Sequence, residues 1–387
     1  MDEHRKREIW FKIARFIGKP FVCLKYRYKY DSFKDVKGPL LVLANHTTDL
    51  DSLFIGIAAG KQLYFVATEN ITRMPRFGKL IMKIFAPIIH YKGMPGIRTS
   101  KIMLRHLKAG HSVAVFPEGN RTFNGVTLPM GDANGKLAIA SGATLVTYRI
   151  KGGYFTSPRW HKKDRRGRVR GELAGVYTHE ELKAMGADEV NRIIARDLYV
   201  DAYEEQKKDP WAYTGPDIAE NLESTVFLCP KCGKIGGLHS QGNRFFCDCG
   251  FDAIFDEYGY IKDKDGNQWT VTELDVTQRE YIDDLQKNSG EEELFEEEVS
   301  EETVDENHDV VKERRVVLKA FANAFGVDDK KVSFDDIEAI AINQKNLLMF
   351  HLKGMKSHYQ FRGPLSFSAL KYLYVFRAAK GSWNGIL

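Results

Sequence analysis

Two short segments hold the residues best placed to do chemistry. They are Asn45-His46-Thr47-Thr48-Asp49-Leu50-Asp51 and Phe116-Pro117-Glu118-Gly119-Asn120-Arg121-Thr122. A histidine at the end of a buried strand can serve as a general base near neutral pH. A carboxylate on its other ring nitrogen would fix the tautomer and stabilise the imidazolium. Asp51 follows across a strand-to-helix turn, and Asp49 is also within reach, so spacing leaves both as candidate partners. No serine or cysteine is obviously paired with His46, which makes a substrate hydroxyl the expected attacking group. The second segment offers a carboxylate, a glycine turn that lets backbone approach a ligand, and an arginine suited to forked contact with phosphate.

A separate constellation is Cys229-Pro230-Lys231-Cys232-Gly233 followed by Cys247-Asp248-Cys249-Gly250. Four thiolates in this C-x2-C-x14-C-x-C pattern suit a tetrahedral zinc ion, and a closed four-cysteine site is structural. Glycine after each pair allows the knuckle to turn. Phe245, Phe246 and Phe251 are available to cover the small core; His239 is an alternative ligand, and rubredoxin-like iron an alternative metal. Thiols clustered in this way, with Cys23 apart from them, point to a reducing compartment rather than a disulfide framework.

The elements that must position these residues are legible in part. Leu40–Ala44, Leu63–Ala67, Ser112–Phe116 and Thr144–Ile150 read as strands. Asp51–Ala59, Phe77–Phe85, Ser100–Lys108 and Lys136–Ala140 read as helices. This alternation predicts an α/β domain with helices packed on a sheet, and ligands in such folds bind at strand C-terminal ends. Lys25 to Tyr30 alternates basic and tyrosine residues and reads as a strand. Lys162 to Arg170 is a basic tract, expected as an exposed loop or hairpin tip, with contact to anionic headgroups as its sharper reading. Beyond residue 290 come an acidic stretch, Glu291 to Asp309, then strands near Val316–Leu318, Val332–Phe334, Leu347–Leu352 and His358–Arg362, and a helix over Ser366–Ala379. These fit a small β-rich domain of the pleckstrin-homology kind. The expected division is 1–220 for the α/β domain, 221–260 for a zinc ribbon, and 261–387 for a linker helix and the β-rich accessory domain.

The 387 residues are 43% hydrophobic and 28% charged, which excludes a disordered or collagen-like chain. No apolar run is long enough to span a bilayer, and the charged start predicts no secretory leader. The net charge of +5 is uneven: residues 1–170 hold 32 Lys and Arg against 11 Asp and Glu. An excess of this size implies an anionic partner such as a lipid surface, a phosphorylated substrate or nucleic acid. Ile9, Trp10, Ile13, Phe16, Ile17 and Phe21 recur at helical spacing beside Lys12, Arg15 and Lys19. Such a helix suits a membrane interface, and equally a helix packed on its own domain with lysines reaching outward.

Taken together, the His-x4-Asp segment and the Phe-Pro-Glu-Gly-Asn-Arg-Thr segment about 70 residues later resemble the 1-acylglycerol-3-phosphate acyltransferase family of glycerolipid acyltransferases. The resemblance covers roughly residues 35–155. It implies acyl transfer from acyl-CoA or acyl carrier protein to a lysophospholipid hydroxyl at a membrane, a reaction that needs no metal. By the same resemblance His46 is the general base and Asp51 its orienting partner. Glu118, Gly119 and Arg121 belong to the acceptor-binding motif, with Arg121 on the phosphate. Lys92 stands where the family has an arginine, with Arg98 as a substitute nearby. Departures are Asn120 for a usual threonine, Thr68 for a usual lysine, Thr147 where a proline is common, and Met130–Lys136 in place of a Phe-Lys-x-Gly segment. The expectation is a peripheral or monotopic enzyme at the cytoplasmic membrane face. The rival is a zinc-ribbon adaptor using the basic half for nucleic acid, which the placement of that charge on the acyltransferase-like half disfavours.

Overall fold

In the computed structural model, which describes residues 3–68, 71, 77–90, 96–305, 309–343 and 345–383, the chain divides into two units. One comprises the residues up to Pro158 with Asp164–Tyr213; the other comprises Arg159–Lys163 with the residues from Thr214. The first is built on a sheet of β1 (Lys29–Tyr30), β2 (Leu40–Ala44), β3 (Tyr64–Thr68), β4 (Ile88–His90), β5 (Val113–Val115), β6 (Thr144–Lys151) and β7 (Arg170–Tyr177). Their spatial order is β1-β7-β6-β2-β5-β3-β4. β2 is central and pairs in parallel with β5 and β6, so that Leu41 lies opposite both Val113 and Leu145. The β6–β7 pair is antiparallel, which makes the sheet mixed.

β2 is apolar at every position because both its faces are covered. Leu40, Val42 and Ala44 face one core, shared with Val22 of α1 (Glu3–Lys25) and with Phe54, Ile55 and Ala58 of α2 (Asp51–Ala59). Leu41 and Leu43 face the other, with Met103, Leu107, Ala138, Leu182 and Val190 from helices Ile97–Lys108, Ala133–Ser141, His179–Met185 and Ala187–Leu198. The side-chain period of two in a strand sorts the same run to both cores.

Two local expectations change. The Lys25–Tyr30 stretch is not a strand: α1 continues to Lys25, Arg27 turns the chain at φ +46°, and β1 is two residues long. Tyr26 and Tyr28 are still buried, Tyr28 donating to the Phe54 carbonyl at 2.9 Å and Tyr26 to Asp164 at 2.6 Å, while Tyr30 is half-buried. The basic tract is not uniformly exposed either: Arg165 is buried, and burial lowers its pKa to about 10.

In the second unit, strands Leu238–Gln241, Arg244–Cys247, Asp252–Phe255, Ile261–Asp263 and Gln268–Trp269 form an antiparallel sheet beside the cysteines. Thr270 and Glu273 then close a capping box that starts the helix Val271–Asn288. Seven antiparallel strands follow, with helix Ala369–Ala379 after them. The acidic stretch supplies the strand Glu293–Val304, which pairs along its length with the basic strand Val310–Phe321. Lys319 meets Glu293 at 2.9 Å and Arg314 meets Glu301 at 2.7 Å, so cross-strand charge pairing replaces the β-propensity that glutamates lack.

Candidate active site and metal site

β2 and β5 are parallel neighbours, so the loops leaving their C-terminal ends meet although they lie 72 residues apart in sequence. At the end of β2, the Asn45 side chain takes over the pairing with β6. Its Oδ1 accepts from the Ile150 amide at 2.7 Å and its Nδ2 donates to the Ile150 carbonyl at 2.9 Å. The backbone is then free to turn into α2.

Asp51 opens α2 and is fully buried. Its carboxylate accepts from the amides of Thr47 (2.6 Å) and Thr48 (2.9 Å), and from their hydroxyls at 3.1 and 3.0 Å. The first turn of a helix also favours its negative charge. His46 Nδ1 lies 2.9 Å from Asp51 Oδ2. An ionised carboxylate only accepts, so Nδ1 carries the proton and the lone pair sits on Nε2. The imidazole lies nearly parallel to the Phe116 ring, centroids 4.2 Å apart, and its side chain is 22% exposed. Among the described residues it hydrogen-bonds no serine or cysteine.

The 116–122 segment is stitched to this loop. Glu118 is buried, and its two oxygens accept from the amides of His46 and Leu128, both at 2.6 Å. Thr122 donates its amide to the His46 carbonyl at 3.0 Å. Arg121 is also buried and spends its guanidinium on the Thr47 carbonyl (3.1 Å), Asp49 (2.8 Å) and the Ser157 carbonyl (2.5 Å). Asp49 therefore pairs with Arg121 and Asp51 with His46, which separates the two carboxylates that spacing left open. Gly119 has φ +69° and open space where a Cβ would stand, so backbone conformation rather than close packing calls for glycine. Gly153 is the reverse: a Cβ there would collide with Thr47 Oγ1, so its absence lets β6's end press against the Asp51 ligands.

Arg98 is exposed on the first turn of helix Ile97–Lys108, and no hydrogen bond or ion pair joins it to either segment among the described residues. Lys92 lies outside the described residues. Thr147 sends its hydroxyl to the buried Asp197 at 2.7 Å. Sequence pattern alone does not mark Thr47, Thr48 and Gly153 as supports of the site; the two hydroxyls directly after His46 are the available signal.

Burial pushes the Glu118 carboxyl up to about 8, with Asp51 adding to the rise and its two amide donors opposing it. A carboxyl raised above its unfolded value holds more protons when folded. Its stabilising contribution is full below the unfolded value and fades as pH rises through about 8. The melting temperature of the parent chain should fall across that window more than that of Glu118→Gln. Parallel melting curves for the two would remove Glu118 as the source.

In the second unit the four cysteine sulfurs lie within 4.8 Å of one another. Cys229 and Cys249 are 3.7 Å apart, and Cys232 and Cys247 3.9 Å. Four sulfurs about 2.3 Å from a tetrahedral zinc would be about 3.8 Å apart, so this set fits such an ion. Each knuckle turns on a glycine: Gly233 donates to the Cys229 carbonyl at φ +65°, and Gly250 to the Cys247 carbonyl at φ +85°. His239 pairs with Asp248 at 3.1 Å and is not part of the cluster.

A histidine held by a buried carboxylate, with its outer nitrogen available and no protein nucleophile bonded to it, is equipped to activate a hydroxyl brought by a substrate. The family model described as Acyltransferase matches residues 25–151, the span that contains both loops. The match makes this span similar to the domains that the family model describes. Among solved structures the chain is similar to the 1-acyl-sn-glycerophosphate (LPA) acyltransferase PlsC from Thermotoga maritima. The two are 21% identical over 52% of this chain and 81% of that one, with a TM-score of 0.42.

Proposed function

We propose that this chain moves a fatty acyl group from acyl-CoA or acyl carrier protein to the free hydroxyl of a lysophospholipid, with 1-acylglycerol-3-phosphate as acceptor and phosphatidic acid as product. The observation that carries this reading is the His46–Asp51 pair at the end of β2, with Asp51 buried and the His46 side chain partly exposed. His46 Nε2 takes the proton of the acceptor hydroxyl as its oxygen attacks the thioester carbonyl. The carbon–sulfur bond then breaks, and the imidazolium returns the proton to the departing thiolate. Asp51 holds the ring in the required tautomer and offsets the transient positive charge. Glu118 and Arg121 position the backbone on either side of His46, and Arg121 is the group proposed to meet the acceptor phosphate.

The proposed setting is the cytoplasmic face of a membrane, held peripherally. No helix among the described residues is long and apolar enough to cross a bilayer. The apolar residues of α1 point outward: Phe16 is 83% exposed, Phe21 64% and Leu24 83%, whereas Phe11 and Val22 are the residues it buries. An outward apolar face flanked by cations suits an interfacial helix. The four cysteines are assigned a structural zinc that ties the ribbon turns together.

The test is acyl transfer from labelled palmitoyl-CoA and palmitoyl-carrier protein to a panel of lysophospholipids in detergent, with His46→Ala as blank. Turnover with 1-acylglycerol-3-phosphate supports the stated acceptor. Turnover confined to an acceptor with a larger headgroup supports a second reading, favoured by Thr68 in place of a lysine and by Asp49 already seated on Arg121. No turnover with any pair overturns the function. In the same assay Arg121→Lys should raise the acceptor KM by about tenfold or more, because a single ammonium cannot reproduce the fork. A fall in kcat with KM unchanged would assign Arg121 to loop support alone. Metal analysis should return one zinc per chain, and Cys232→Ser with Cys247→Ser should abolish it and loosen the ribbon to proteolysis; full retention of zinc would discard the site.

A further inference from the structure

α1 carries three cations on one flank, Lys12, Arg15 and Lys19, spaced three and four residues apart so that they share a face. With Phe16, Cys23 and Gly60 they line a hollow of about 460 Å³. Gly60 caps the C-terminal end of α2, the helix whose first residue is Asp51. Arg15 fixes the hollow there, donating Nε and Nη2 to the Ile57 carbonyl at 3.2 and 3.0 Å. The Lys19 ammonium stands 5.4 Å from the Tyr30 ring, and Lys12 is exposed. At about 1.5 Å per residue, the length of α2 puts the hollow about 13 Å from the His46–Asp51 pair. It is therefore a separate place from the one where the acceptor would react.

We propose that this hollow binds the phosphate headgroup of an anionic membrane phospholipid that is not a substrate. The charge in it calls for an anion. The surroundings select the lipid: Phe16 lines the hollow itself, and Ile13, Ile17 and Phe21 beside it are all exposed on α1. An interfacial helix sinks its apolar residues about 5–10 Å into the headgroup and acyl boundary, which brings flanking cations level with lipid phosphates. The proposal deepens the membrane setting argued above and rests on it.

The test is sedimentation of the full-length chain with vesicles of phosphatidylcholine alone and of phosphatidylcholine mixed equally with phosphatidylglycerol, at matched ionic strength. The parent should prefer the mixed vesicles, and Lys12→Ala with Lys19→Ala should lose about 30-fold of that binding, each cation near the surface counting about equally. The control is Lys136→Ala with Lys183→Ala, which removes the same charge from helices packed on the opposite face of the sheet. An equal loss in both pairs would reduce the effect to net charge and overturn the site. Competition by inorganic phosphate, replacing chloride at constant ionic strength, would make it a free-phosphate site and overturn the lipid assignment. Acyl transfer in detergent is read alongside. Activity with no Lys12/Lys19 effect on vesicles would sink this proposal alone, and a vesicle effect without activity would sink the acyl-transfer reading alone.

Discussion

Replacing His46 with alanine is expected to lower kcat by about 10³-fold or more, the range that general-base catalysis supplies, while the chain stays folded. The imidazole stacks on Phe116 and donates one hydrogen bond to Asp51, whose four other donors come from Thr47 and Thr48. Losing one such bond costs about 1 kcal/mol, so the melting temperature should move by only a few degrees. Acceptor and donor KM values, together with circular dichroism, separate loss of chemistry from loss of fold. A folded variant within tenfold of the parent's turnover would remove His46 as the base.

Asp51→Asn should differ in kind. An amide offers one acceptor oxygen where the carboxylate offers two, and its Nδ2 would point hydrogens at groups that already donate. The substitution should therefore cost stability, about 3 kcal/mol, as well as activity, about 10⁴-fold through the wrong imidazole tautomer. A melting curve unchanged beside a large activity loss would show that Asp51 acts on His46 without holding the loop. Loss of stability with activity retained would break the proposed dyad.

What the sequence makes readable follows from how each residue is covered. β2 and β5 are legible as apolar runs because both faces of the sheet are packed, so no polar position interrupts them. The strand Glu293–Val304 is not, because its pattern is set by the lysines and arginines of a strand that follows it and by the buried Lys371, which reaches Glu297 at 2.9 Å. Residues beside His46 show the same division. The His-x4-Asp spacing is visible, but Asp49 and Asp51 both lie within reach of His46 along the chain; the resemblance favours Asp51, and the fold sends Asp49 to Arg121 and Asp51 to the imidazole. Glu118 reads in sequence as a group facing a ligand. In the fold it is closed in by the amides of His46 and Leu128, partners that adjacency in the sheet brings together and local pattern does not reveal.

The many hydrogen bonds around one histidine have a consequence for how this domain tolerates change. Only one ring nitrogen is proposed to touch the reacting atoms, yet Asn45, Thr47, Thr48, Glu118, Arg121 and Gly153 each hold that ring or its loop in place. The mutational target for inactivation is accordingly several times wider than the chemistry itself. In a random library, most dead but folded clones should map to this scaffold rather than to His46. Improved catalysts should be sought among residues that shape the acceptor's approach and leave the scaffold unaltered.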